Sequence, residues 1–238
     1  MFRFKQFTIR QDRTAMKVCT DACLLGAWAG VTPGTRLLDI GTGTGLLALM
    51  AAQRNPTALI DAVELDEAAA GQAHENVAAS PFAERITVYH TAIQTYLTNV
   101  PSLVYDHILT NPPFFVNSLR SPSRAVNRAL HTDELPFAAL VTAILRLLKP
   151  AGTWSVLLPP PEANQLEKLA FAAGLVPVRQ LQVRHQPQKS VFRHLTTYLK
   201  TNDVPGAYPA RQLCIYEPDG RTYTPDFRQL LAPFYLIF

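Results

Sequence analysis

Charge is scarce in this 238-residue chain: 17% of its residues are charged against 48% hydrophobic, and no polar low-complexity tract interrupts it. That balance excludes a disordered chain and predicts a packed core. No apolar run approaches the roughly 18 residues of a membrane-spanning helix, and the opening MFRFKQFTIRQDR lacks the continuous apolar stretch of a signal peptide. A cytoplasmic protein without a membrane partner is expected. Cysteine is sparse too: Cys19, Cys23 and Cys214 are too few for a disulfide framework. No His or further Cys stands beside Cys19 and Cys23 to complete a zinc site, so no metal is expected and the pair reads as small core residues.

The few charges that are present are unevenly placed. Residues 31–110 carry 3 basic and 8 acidic side chains, whereas residues 111–200 carry 11 and 4. An acidic stretch followed by a basic one points toward a polyanionic partner. From Arg36 onward, short β-type runs alternate with longer helical ones. LLDIG (37–41), ALIDAVEL (58–65), ITVYHT (86–91), YDHILTNPP (105–113) and TWSVLLP (153–159) read as strands. Helices are expected over 46–54, over 67–79, over 135–148 with Thr132 or Asp133 as cap and Pro150-Ala151-Gly152 as stop, and over 162–173. VRQLQVRH and FRHLTTYLK alternate apolar and polar residues, as a half-exposed antiparallel edge pair would.

The expected fold is therefore α/β and Rossmann-like: a seven-stranded, mostly parallel sheet with an antiparallel final strand and helices on both faces. A single domain is expected, with residues 1–30 as an N-terminal cap segment, 31–200 as the core and 201–238 as a C-terminal extension packed on it. Residues 14–29 read as a helix capped by Thr20, and the apolar tail DFRQLLAPFYLIF should dock instead of standing free.

Asp39-Ile40-Gly41-Thr42-Gly43-Thr44-Gly45 lies where the first strand meets a helix, and its glycines let backbone approach a ligand. A dinucleotide fingerprint needs G-x-G-x-x-G, but here the spacing is G-x-G-x-G and Leu46 takes the place of the third small residue. Asp39 repels phosphates and attracts an ammonium group. S-adenosylmethionine, with a cationic amino-acid end and no phosphate, suits this loop better than NAD. Glu64, 23 positions after Gly41, ends the second strand, where a carboxylate can accept both hydroxyls of a ribose.

Asn111-Pro112-Pro113-Phe114 follows the fourth strand and projects from the same sheet edge as the glycine loop. An exocyclic amino group is a poor nucleophile and has to be held for in-line attack. The Asn111 side-chain oxygen and the next carbonyl can accept its two N–H bonds. Pro112 and Pro113 stiffen that backbone, and Phe114 can stack on a base.

These motifs together resemble the class I amino-methyltransferases of the N-P-P-[FY] group. The blocks FRFKQF (2–7), AMKV (15–18), TDACLLGAWA (20–29) and FYLIF (234–238) resemble more narrowly the bacterial tRNA1(Val) adenine-37 N6-methyltransferases. That resemblance covers nearly the whole chain and implies methyl transfer from S-adenosylmethionine to N6 of the adenine 3′ of a valine anticodon. It implies that Asp39, Gly41 and Gly43 meet the methionine end of the cofactor, Glu64 its ribose, and Asn111, Pro112, Pro113 and Phe114 the target base, with Asn111 also beside the cofactor. It carries over Lys17, Thr20, Asp21 and Ala92 as further cofactor positions, and implies no obligate protein partner. One departure is Ile93, which stands where such enzymes place an acid that accepts from the cofactor's adenine; Gln94 or a backbone carbonyl would substitute.

Arg120, Arg124 and Arg128 recur every four residues beyond this loop, and Arg179, Arg184, Lys189 and Arg193 cluster in the late strands. Arg120, Arg124, Arg128 and Arg193 are the expected tRNA contacts, through phosphates. Two alternatives stand beside this reading. A protein glutamine N5-methyltransferase acting on a release factor or ribosomal protein uses a similar pocket, but its helical N-terminal domain has no counterpart here. A non-catalytic RNA-binding protein would not need the intact Asp39 loop or Asn111.

Overall fold

The computed structural model describes residues 1–238 except 15, 33–34, 113–135, 202, 204–205 and 207. Strands β1 (Phe2–Arg3) and β2 (Thr8–Ile9) pair antiparallel ahead of helix α1 (Thr20–Trp28). β3 (Arg36–Ile40), α2 (Leu46–Arg54), β4 (Leu59–Glu64), α3 (Glu67–Ala78), β5 (Ile86–His90), α4 (Ile93–Asn99) and β6 (Tyr105–Thr110) then alternate. α5 (Phe137–Leu147), β7 (Leu148–Leu158), α6 (Pro160–Ala172), β8 (Leu175–Arg184), β9 (Val191–Lys200), β10 (Ala210–Cys214) and α7 (Pro225–Leu231) follow.

Eight strands form the main sheet in the order β10-β8-β9-β7-β6-β3-β4-β5. Every neighbouring pair is parallel except the two made by β9, which runs antiparallel between β7 and β8. The doubly wound, mostly parallel architecture is as expected, with one strand more than the seven read from sequence. β10 is the addition: Ala210, Arg211 and Gln212 are exposed and only Leu213 is buried, so the strand carries no apolar signature. It also takes the edge position expected for the β8–β9 pair.

The central strands need no alternation because both of their faces are covered. On one face Leu37, Ile60 and Leu109 pack with α1, α2 and the aromatic residues Phe4, Phe7, Phe227, Phe234 and Tyr235 of the two chain ends. On the other, Leu38, Ile40 and Ile108 pack with α4, α5 and α6, and Trp154 stacks on Tyr198 at 5.3 Å between ring centres. The apolar tail docks as expected through the buried Phe227, Leu231 and Phe234, and Phe4 bridges to Tyr235. Lys5 completes the seam, donating to Ala232 O at 2.6 Å and Phe238 O at 2.8 Å.

Local expectations shift in three places. α1 begins at Thr20 itself, with Cys19 as a cap that makes no side-chain hydrogen bond. Cys23 is buried but Cys19 is exposed, so only one of the pair is a core residue. β7 starts at Leu148 and runs through Pro150-Ala151-Gly152, absorbing the expected stop as an irregularity opposite Tyr105 and His107, with Ala151 at φ 59°. The Leu135 start and the caps Thr132 and Asp133 lie outside the described residues. Among the described residues no helix is long and apolar enough to cross a membrane.

Candidate active site at the carboxyl edge of the sheet

Register brings the motifs together. Ile40 pairs with Val63 of β4 on one side and with Thr110 of β6 on the other. Glu64, Gly41 and Asn111, the next residues of the three strands, therefore emerge side by side within about 10 Å at ordinary strand spacing. Gly41 and Gly43 sit at φ +71° and +58°, a region costly for other residues, and a Cβ built on either meets nothing within 4 Å. The space above them is open, as a ligand-binding loop requires.

Asp39 lies beneath this loop, fully buried, with Oδ2 accepting from the Thr42 hydroxyl at 2.5 Å and Oδ1 without a partner. Burial pushes its carboxyl up to about 7, only partly offset by the Thr42 bond. Asn111 Oδ1 is likewise buried, and without a partner among the described residues. Two acceptors without donors at one sheet edge are the features to explain, because buried polar groups are otherwise almost always paired.

Glu64 is more constrained than its sequence position implies. One carboxylate oxygen accepts from Gly43 N at 2.8 Å; the other accepts from Leu65 N at 2.8 Å and Asp66 N at 2.9 Å. Three of its roughly four acceptor directions are taken. Glu64 braces the glycine loop, and a bidentate ribose contact would have to displace one of these donors.

Ala92 caps α4 just past β5, at the same edge, while Ile93 is buried with Tyr96 in the core. The position of the missing acid is thus filled by packing. The Lys17 ammonium donates to the carbonyls of Gln11 and, at 2.9 Å, Thr14. Thr20 is exposed at the start of α1. Asp21 and Arg193, expected to serve different ligands, meet each other in a largely buried ion pair at 2.8 Å, and Arg193 also lies over the Phe192 ring at 5.2 Å. Arg193 is thereby committed to joining β9 to α1. Arg179 and Arg184 are engaged too, donating to Trp28 O and Lys189 O. Pro113, Phe114, Arg120, Arg124 and Arg128 lie outside the described residues.

Sequence reasoning missed Gln72 and Asn76, one helical turn apart on α3. Asn76 accepts from Arg10 N at 2.8 Å and donates to Arg10 O and to Thr44 O, both at 2.9 Å. Gln72 accepts from Arg13 N at 3.1 Å and donates to Asp12 at 2.9 Å. The pair clasps residues 10–13 against α3, and Asn76 ties that segment to the glycine loop. A polar i, i+4 pair in an Ala-rich helix was the available signal. Asn76→Ala would leave three backbone groups unpaired, and urea denaturation should show about 2–3 kcal/mol less stability.

A family model described as Methyltransferase small domain matches residues 24–133. A tRNA1(Val) (adenine(37)-N6)-methyltransferase of Dyadobacter fermentans is 51% identical over 237 residues, covering 100% of this chain and 98% of that one. The chain belongs to the tRNA1(Val) (adenine(37)-N6)-methyltransferase family. A further member from Tolumonas auensis is 45% identical, covering 99% and 96% of the two chains. In fold, the crystal structure of a predicted O-methyltransferase from Agrobacterium tumefaciens superposes with a TM-score of 0.67 at 19% identity, covering 90% and 96%. The relatives carry the methyl-transfer assignment, and the superposition shows the fold.

Proposed function

We propose that this protein, in the cytoplasm, transfers a methyl group from S-adenosylmethionine to N6 of an adenine in tRNA, and that the target is adenine 37 of tRNA1(Val). The observation that carries the reading is Asn111 Oδ1, buried without a donor beside Gly41 and Glu64. The names and full-length similarity of the relatives support the choice of tRNA and adenine.

The residues present suit this cofactor. Bound there, S-adenosylmethionine supplies a methyl group on a cationic sulfur, open to attack by a nitrogen lone pair. Asp39 Oδ1 is the acceptor waiting for an ammonium group, and the open backbone of Gly41 and Gly43 leaves room for the amino-acid end. Asn111 Oδ1 accepts one N–H of the target amino group and the Pro112 carbonyl the other, which turns the nitrogen lone pair toward the cofactor side. No strong base is needed, since the methylated nitrogen is acidic enough to lose its proton to water. Lys17, Thr20, Asp21 and Ala92 frame the cofactor entrance, Lys17 by ordering residues 11–14 and Asp21 through Arg193. Pro113 and Phe114 complete the base pocket, and Arg120, Arg124 and Arg128 hold tRNA phosphates.

Purified protein with labelled cofactor and unmodified tRNA should yield N6-methyladenosine, mapped by nucleoside and fragment mass analysis to position 37 of tRNA1(Val). Label appearing in the glutamine of a release factor and not in tRNA would overturn the proposal.

A further inference from the structure

Among the described residues, two further buried polar atoms lack partners on the β7 side of Asn111: Glu162 Oε2 and His194 Nδ1. They come from different elements but flank one residue. His194 of β9 is the cross-strand partner of Leu158, the last residue of β7. Glu162 lies in the first turn of α6, four residues after Leu158, and α6 is seated on this face of the sheet by Ala163, Leu166 and Ala170, all buried. Val156 of β7 pairs with Thr110 of β6, so Leu158 stands level with Pro112, and His194 one strand further out. Strand spacing places the His194 backbone about 10 Å from that of Pro112, on the same carboxyl edge.

From this arrangement we infer that Glu162 and His194 form a second substrate subsite, one that takes the ribose of a nucleotide adjoining the target adenine. The inference rests on the RNA methylation proposed above. The chemistry of the pair selects the ligand. A carboxylate accepts only, and burial lowers the His194 pKa so that the ring is neutral near neutrality, with one nitrogen able to donate. A carboxylate and an imidazole N–H at one sheet edge together match a hydroxyl, which donates to the first and accepts from the second. A phosphate is excluded by the Glu162 charge. The hydroxyl that every RNA nucleotide carries is the ribose 2′-OH, and a contact to it separates RNA from DNA. A bound hydroxyl would also satisfy both atoms, which otherwise remain buried and unpaired at a cost in stability.

The test uses the full-length protein, labelled cofactor, an all-ribose tRNA transcript and transcripts with single 2′-deoxy substitutions at the nucleotides flanking the target adenine. The wild type should transfer to the all-ribose transcript and show a KM about tenfold higher for one of the deoxy transcripts, the loss of about one good hydrogen bond. Glu162→Gln and His194→Gln, close in shape to the originals, should each raise KM for the all-ribose transcript by a similar factor, with a smaller effect on kcat and no change in cofactor affinity. Both should lose the preference for ribose at that nucleotide. Variants that keep the wild-type ribose preference, whatever their melting temperatures, overturn the subsite, as does a wild type indifferent to every flanking substitution. Absence of transfer to any RNA overturns the methylation reading together with it, so the two failures are distinguishable.

Discussion

Asn111→Ala is expected to reduce methyl transfer to tRNA by at least about a hundredfold while the affinity for S-adenosylmethionine, measured by calorimetry, stays within about twofold. Among the described residues Asn111 Oδ1 accepts no hydrogen bond, so its removal takes away no acceptor that the fold uses. What disappears is the acceptor that orients the target nitrogen. Because the amino group needs an acceptor and not an amide as such, Asn111→Asp should retain part of the activity that Asn111→Ala loses. Wild-type rates in the Ala variant would show that the base is held elsewhere.

The second large effect concerns Asp39. Its carboxyl ionises only at about 7 in the free protein, because burial raises it from the ordinary carboxylate value of 3.8. Ionising it costs the folded state stability as pH climbs from about 4 toward 7. A bound ammonium reverses that cost, so cofactor binding favours the ionised form and expels a proton wherever the free carboxyl is still protonated. Affinity for S-adenosylmethionine should therefore fall about tenfold between about pH 7 and about pH 5.5. Asp39→Asn should bind weakly at both values and show no such trend, since it keeps the shape and loses the charge. A wild-type affinity that is flat across this interval would refute the role given to Asp39. Asp39→Asn also tests the loop, because Thr42 can donate to an amide oxygen as it does to the carboxylate.

Both effects fall on residues that local sequence makes visible. D-x-G-x-G-x-G and N-P-P-F are contiguous, and their chemistry follows from residue types at fixed short spacing. The same holds for β3, β4 and β6, central strands whose apolar residues have to be covered on both faces. Locality also sets the limit. The Arg193–Asp21 pair joins residues 172 apart in sequence, and Asn76 reaches back 66 residues to Arg10. No periodicity distinguishes an arginine that grips RNA from one that anchors a helix.

The βα alternation, the ligand loop and an acceptor suited to an amino group are legible along the chain, because each depends on near neighbours. Which of those groups are spoken for is settled by packing. It turned Glu64 into a brace for the glycine loop, drew Arg193 to Asp21, added β10 at an edge with almost no apolar signal, and left Asp39, Asn111, Glu162 and His194 with unpaired atoms. The reason is physical: whether a polar atom is satisfied depends on what packs against it from elsewhere in the chain. In this fold the strand register and the helices seated on the sheet make that choice.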